Sequence, residues 1–136
     1  MLLVEDEEAD AELFRSSLHK EAPDCGFEWV RDGESALSFL RKEDAYQSAF
    51  TPDLIFLDWG LPRLSGLDVL KIIKHDSRVK TIPVIVYSGT RAPEDVRQAY
   101  EYHASAFLTK QMELDQLVRV HRTLREFWLN LAILPE

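Results

Sequence analysis

The stretch Asp53-Leu54-Ile55-Phe56-Leu57-Asp58-Trp59-Gly60-Leu61-Pro62 decides the fold. Four consecutive apolar residues stand between two aspartates, and glycine and proline then turn the chain. A short run that is apolar at every position, rather than at alternate ones, predicts a strand covered on both faces, as in the centre of a parallel sheet. Val84-Ile85-Val86 repeats the pattern. Outward from these, strands are predicted over Leu2–Glu5, Gly26–Val30, Asp53–Asp58, Pro83–Ser88 and Ala106–Thr109. Their starts recur at roughly the spacing of βα units. Phe27-Glu28-Trp29-Val30 alternates in polarity, which places it nearer an edge.

Amphipathic stretches fall between the strands, with helices predicted over Ala9–Lys20, Glu34–Arg41, Gly66–Lys74, Pro93–Tyr102 and Glu113–Leu131. Leu13, Ser17 and Leu18 mark the buried stripe of the first, and Leu67, Leu70 and Ile73 or Lys74 that of the third. Pro93-Glu94-Asp95 is a good helix start. Residues 42–52 form the longest predicted loop. The expected fold is α/β, a doubly wound five-stranded parallel sheet in the order 2-1-3-4-5 (flavodoxin-like), with an extended C-terminal helix. In such sheets ligands sit beyond the carboxyl ends of the strands, at the switch point between the first and third.

The 136 residues suit one domain. Their formal net charge of −8 disfavours a broad nucleic-acid-binding face or docking on anionic lipid. The single cysteine, Cys25, allows no intramolecular disulfide and is expected as a small buried hydrophobe. No apolar run reaches the roughly 20 residues that span a bilayer, and the first residues lack the pattern of a signal peptide. A cytoplasmic protein that binds neither nucleic acid nor membrane is expected.

At the strand ends the chemistry is acidic. Glu5-Asp6-Glu7-Glu8-Ala9-Asp10 follows the first strand, where phosphate-binding relatives of this architecture carry glycine, serine or threonine. No glycine-rich phosphate loop occurs. Glu5 and Asp6 alone could be a solvated first turn. With Asp58 they form three converging carboxylates, which raise one another's pKa or recruit a cation. Mg²⁺ suits them, being held by a few carboxylates together with substrate phosphate. Ser88 ends the fourth strand and Lys110 follows the fifth; each is unremarkable singly. Together they supply the parts for an acyl phosphate: Asp58 as nucleophile, Ser88 and Lys110 for the phosphoryl oxygens, and Glu5, Asp6, Asp58 and the backbone carbonyl of Gly60 for the metal.

These residues closely resemble the receiver domain of two-component response regulators. The resemblance rests on Leu2-Leu3-Val4-Glu5-Asp6, Asp53–Asp58, Leu61-Pro62 with Gly66, Pro83–Ser88 and Ala106-Phe107-Leu108-Thr109-Lys110, in order over nearly the whole chain. It implies that Asp58 is the phosphoacceptor, Glu5 and Asp6 the acidic pair, Ser88 the switch hydroxyl, Phe107 the switch aromatic and Lys110 the site lysine. It also implies a histidine kinase as phosphodonor, with the chain catalysing its own phosphorylation and slow dephosphorylation while acting primarily as a switch. Three departures stand out. Gln111 replaces the usual proline after the lysine, which predicts a trans bond. Phe107 lacks a phenolic hydroxyl. Gly60 puts no side chain beside the phosphate. Gly60 also disfavours an aspartate-nucleophile phosphatase of the haloacid dehalogenase type, which needs a second Asp there. A phosphorelay intermediate serving a histidine phosphotransfer protein, and a non-phosphorylated interaction module, are the alternatives.

Residues 126–136 resemble the C-terminal extension of regulators paired with bacterial and cyanobacterial phytochrome kinases. A receiver domain over residues 1–125, a helical extension over 126–136 and no separate output domain are expected. Leu114, Leu117, His121, Leu124, Trp128 and Leu131 lie close to a heptad seam. Leu124, Phe127, Trp128 and Leu131 are therefore expected at a homodimer interface, with Ile133 and Leu134 in the same apolar patch; His121 is expected to be packed.

Overall fold

The computed structural model describes residues 1–110 and 113–135. Five short strands, β1 (Leu2–Val4), β2 (Glu28–Val30), β3 (Ile55–Leu57), β4 (Val84–Ser88) and β5 (Ala106–Thr109), form one parallel sheet in the order β2-β1-β3-β4-β5. The predicted order holds, and the alternating strand β2 is indeed at an edge. Five α-helices connect and cover it: α1 (Glu8–Glu21), α2 (Gly33–Arg41), α3 (Gly66–His75), α4 (Pro93–Glu101) and α5 (Leu114–Leu124). A short 3-10 turn, Asp44–Tyr46, interrupts the long loop before β3.

The central strands are apolar throughout because each face meets a helix layer. Leu2, Val4, Ile55, Leu57, Val84 and Val86 pack with Ala36, Phe39, Val69, Leu70, Ile73 and Ala99 from α2, α3 and α4. Leu3, Phe56, Ile85 and Tyr87 face the other way, against Ala11, Phe14 and Leu18 of α1 and Leu117 and Leu124 of α5. Local signals start the helices where expected. Asp32 caps α2 by accepting from the Ser35 amide at 2.7 Å. Ser65 and Asp68 form a reciprocal capping box on α3, and Pro93 opens α4.

The register fixes what happens at the carboxyl edge. Val4 lies opposite Val30 and Leu57, Leu57 opposite Val86, and Val86 opposite Phe107. The next residues of β1 and β3 are Glu5 and Asp58, so the two carboxylates leave the sheet side by side.

Four expectations need correction. The stripe of α1 is carried by Phe14, fully buried, while Leu13 is only partly covered. An aromatic ring at that position bridges the layer, meeting Phe56 at 4.8 Å and His121 at 4.4 Å between ring centroids. On α3, Val69 joins Leu70 and Ile73 in the core, and the Lys74 ammonium instead donates to the carbonyls of Lys80 and Ile82. Cys25 is not a core residue; it is half-buried at the surface with its thiol 3.5 Å from the Gly26 carbonyl. The last helix does not run uniformly to Leu131. After Leu124 it widens into a π-helical segment, Arg125–Leu131, closed by the Ala132 amide on the Phe127 carbonyl at 2.6 Å.

That widening changes which residues face solvent. Five-residue hydrogen-bonded steps do not keep a heptad stripe on one side. Leu124 is buried in its own domain, and Trp128, expected to project, packs with Leu129 against the α1/α5 core. Phe127, Leu131 and Ile133 do project, being 54%, 74% and 99% exposed. The predicted trans bond after Lys110 involves Gln111 and lies outside the described residues. Among the described residues, no helix is long and apolar enough to cross a membrane.

His121 is packed as expected, but at a cost. Both ring nitrogens are buried without a hydrogen-bond partner. Burial pulls its pKa down to about 4 from 6.5, with the nearby Glu21 charge opposing. Between those values the unfolded chain binds a proton that the folded chain refuses, so folding stability falls as pH drops from 6.5 towards 4. Replacing the ring with an apolar side chain removes this linkage. In urea titrations at pH 7 and pH 4.5, His121→Leu is expected to lose about 2 kcal/mol less stability between the two pH values than the parent chain; equal losses would refute the assignment.

Candidate functional site

Glu5, Asp6 and Asp58 meet at the carboxyl edge of β1 and β3, each offering an oxygen within 4.8 Å of the others. Glu5 and Asp58 are buried, and Asp6 is partly open to solvent. Main-chain bonds set their positions. The Asp58 amide donates to the Val4 carbonyl at 3.0 Å, and the Glu5 amide donates to the Val30 carbonyl at 3.0 Å. The Glu5 carboxylate accepts from the Glu7 amide at 3.2 Å.

Lys110, from the end of β5, reaches into this cluster. Its Nζ lies 2.7 Å from Glu5, 3.0 Å from Asp10 and 3.5 Å from Asp58. Burial alone would lower the ammonium's pKa, but the bonds to Glu5 and Asp10 and the Asp58 charge more than reverse that and hold it protonated. Glu5 moves the other way from an ordinary carboxylate. Burial raises its pKa, Asp58 adds to the rise, and Lys110 opposes it. One ammonium therefore stands among four carboxyl groups, and the residual negative field is what a divalent cation relieves. The donor set is all oxygen, partly buried and open on the Asp6 side, which suits a hard cation that keeps some of its water.

Ser88 sits buried at the end of β4, and its carbonyl accepts the Lys110 amide at 2.9 Å. That bond keeps the hydroxyl and the lysine on adjacent strands. The Ser88 Oγ is 3.4 Å from the Thr90 amide, and Thr90 in turn donates to Asp95 in the first turn of α4. Phe107 is half-buried, 6.4 Å from Trp59 between ring centroids, and its amide donates to the Tyr100 hydroxyl at 3.1 Å. Gly60 directs its amide at Asp58, 3.4 Å from Oδ1. A Cβ at Gly60 would meet nothing within 4 Å, so that flank of Asp58 is open.

Glu5, Asp6, Asp58, Ser88 and Lys110 thus lie at one edge, with the Gly60 backbone and Phe107 beside them. The dimer candidates Leu124, Phe127, Trp128 and Leu131 do not join them. Two participants were missed. Asp10 lies in the first turn of α1, where acids are ordinary, and only the distance to Lys110 reveals its role. Trp29 is an edge-strand aromatic whose indole N–H donates to the Glu5 carbonyl at 2.8 Å; no local pattern signals that contact.

Gly66 carries a constraint on this edge. A Cβ there would fall 2.3 Å from the Asp58 carbonyl oxygen and 2.7 Å from Trp59 Cα. Backbone cannot yield as a flexible side chain does, so only glycine lets α3 start this close to Asp58.

The family model of the response regulator receiver domain matches residues 1–122. Response regulator Rcp1 of Synechocystis sp. is 36% identical over 135 residues, covering 99% of this chain and 92% of that protein. The crystal structure of the phosphorylated cyanobacterial phytochrome response regulator RcpA superposes with a TM-score of 0.92 at 39% identity, covering 99% of this chain and 96% of that one. The Mn²⁺-bound form of Rcp1 superposes with a TM-score of 0.88 at 36% identity, covering 99% and 97% respectively.

Gly66→Ala is expected to cost about 2 to 3 kcal/mol of stability, measured by urea denaturation, because the loop bearing Asp58 must move. A loss below about 0.5 kcal/mol would show that the close approach is not needed.

Proposed function

The chain belongs to the response regulator receiver family, and from that premise we propose that it is a switch phosphorylated on Asp58 by a sensor histidine kinase, with Mg²⁺ as the metal. The observation that carries this is the position of Lys110 Nζ, 2.7 Å from Glu5 and 3.5 Å from Asp58, beside three carboxylates within 4.8 Å. Glu5, Asp6 and Asp58, with the Gly60 carbonyl, would hold Mg²⁺, which when bound offsets phosphoryl charge.

In the transfer step an Asp58 carboxylate oxygen attacks the phosphorus of a phosphohistidine. A P–O bond forms, the P–N bond breaks, and its electron pair returns to the imidazole nitrogen. Lys110 shifts its ammonium from Asp58 to a phosphoryl oxygen, and the Ser88 hydroxyl donates a hydrogen bond to another. The residues contribute alignment and charge, which is most of what phosphoryl transfer requires. Ser88 and Phe107 then serve as the switch pair. Likeness to Rcp1 and to the phytochrome regulator RcpA along 99% of the chain supports a phytochrome-type kinase as partner. A cytoplasmic site of action goes with that partner and with a chain whose one cysteine is unpaired.

A phosphorelay role is the second reading. The flank at Gly60 favours it, since no side chain stands there and even an added Cβ would meet nothing within 4 Å. The exposed Phe127 and Leu131 support a homodimer through the C-terminal segment, with the covered Leu124 and Trp128 backing the interface from beneath.

Two outcomes test these proposals. Incubated with a small phosphodonor and Mg²⁺, the parent chain should acquire an aspartyl phosphate visible as intact mass, whereas Asp58→Asn should stay at background; labelling of Asp58→Asn at the parent level would sink the phosphoacceptor assignment. By sedimentation at micromolar concentration the parent chain should be dimeric, and the Phe127→Ser/Leu131→Ser double variant monomeric. A parent chain that sediments as a monomer in both phosphorylation states would remove the dimer.

A further inference from the structure

We infer that Trp29 is a positioning residue for the cation site: its indole N–H holds the Glu5 carbonyl and so sets the affinity of the Glu5–Asp6–Asp58 cluster for a divalent cation. The inference rests on the cation-site reading above and extends it to a residue of the edge strand.

Glu5 is where the chain leaves β1, and its peptide is fastened on both sides by β2. The amide donates to the Val30 carbonyl at 3.0 Å, and the carbonyl accepts from Trp29 Nε1 at 2.8 Å. The second bond fixes the peptide plane joining Glu5 to Asp6, hence the direction in which both carboxylates emerge. The first ligand pair of the site is therefore aimed from the neighbouring strand.

Geometry explains why tryptophan is needed. Trp29 lies opposite Leu3 in the sheet register, two residues short of Glu5. At about 3.3 Å per residue, its side chain must span some 6 to 7 Å along the strand and end in a donor. The indole reaches that far and carries a donor with no competing acceptor. Phenylalanine has no donor there, and histidine is too short. The ring is itself held. It packs on the α1/α5 core on one side, and the Arg31 guanidinium lies 4.3 Å over its centroid. Arg31 reaches Glu8 in the first turn of α1 at 3.9 Å. Strand β2, the indole, Arg31 and the start of α1 thus bracket the acidic loop.

Converging carboxylates repel one another and drift apart if the backbone allows it. A loop free to rotate at the Glu5–Asp6 peptide would relieve that repulsion and present a poorer set of oxygens to a cation. Losing an outer contact of this kind typically weakens metal affinity by about 10- to 100-fold where it touches the ligand side chain itself. A main-chain contact should lie at or below the lower end.

The test uses the full chain and Mn²⁺ alone, with free Mn²⁺ read by electron paramagnetic resonance. Trp29→Phe, folded by circular dichroism, is expected to raise the Mn²⁺ dissociation constant about 3- to 10-fold. It should raise by a similar factor the Mg²⁺ needed for half-maximal phosphorylation by a small phosphodonor, the defect closing as Mg²⁺ increases. Wild-type Mn²⁺ affinity in folded Trp29→Phe, alongside loss of binding in Asp6→Asn, overturns this inference and leaves the cation site standing. Affinity that Asp6→Asn also leaves unchanged overturns the cation-site reading and this inference with it. A second measurement covers the case in which Trp29→Phe does not fold. The Trp29 indole N–H resonance of the parent chain, assigned by elimination with Trp59→Phe and Trp128→Phe, should shift during a Mg²⁺ titration with the midpoint of metal binding. A resonance that stays still while metal binds overturns the proposal.

Discussion

Everything at the carboxyl edge depends on one electrostatic constraint, the crowding of Glu5, Asp6, Asp10 and Asp58 around the single ammonium of Lys110. Such a cluster is unfavourable in an unconstrained chain, because burial penalises each charge and like charges penalise one another. Folding enforces it. The register that sets Val4 against Leu57 puts Glu5 and Asp58 on neighbouring strands. The strand order places β4 between Asp58 and Lys110, and the Ser88 carbonyl ties the Lys110 amide to that strand. Apolar burial on both faces of the sheet supplies the energy that holds charges in a place they would not choose. A cluster charged in this way favours a divalent cation.

Much of this was legible in the sequence because it rests on local pattern. An unbroken apolar run announces a central strand, and a carboxylate at its end marks the ligand side of a doubly wound sheet. Glu5, Asp58, Ser88 and Lys110 could be found that way. What could not be found depends on geometry across the chain. Phe14 and Leu13 are both apolar and adjacent, and a small change in helix phase decides which is buried. The π-helical segment after Leu124 is invisible to a heptad pattern, since Leu124, Trp128 and Leu131 fit a seam on paper. Widening the turn covers Trp128 and frees Leu131. Asp10 and Trp29 are missed for a further reason: each acts on a residue far away in sequence, through a contact set by how α1, β1, β2 and β5 pack.

The two poles of α5 do different work. Its first turns seal the sheet through Leu117 and His121, the latter buried with no partner for either ring nitrogen against Phe14 and Phe56. Its far end is tied to α1 by polar contacts, with Arg122 and Arg125 both on Glu21. From Arg125 onward the helix widens into the π-helical segment, which exposes Phe127 and Leu131. A packed stretch and an ion-paired end thus precede the exposed apolar residues Phe127 and Leu131.

Glu5 is the residue on which both edges of the sheet converge. From β2 the Trp29 indole holds its carbonyl, and from beyond β5 the Lys110 ammonium holds its carboxylate. A group that drew the Lys110 ammonium away from Glu5 and Asp58 would free those carboxylates while the Lys110 amide stayed on the Ser88 carbonyl. Three residues back along β5, the amide of Phe107 hangs on the Tyr100 hydroxyl of α4, and the Phe107 ring touches the Trp59 layer next to Asp58. Strand β5 is an edge strand, and the Tyr100 hydroxyl of α4 takes one of its outward amides. The ammonium at the site and the strand amide held by α4 thus belong to one short stretch of chain.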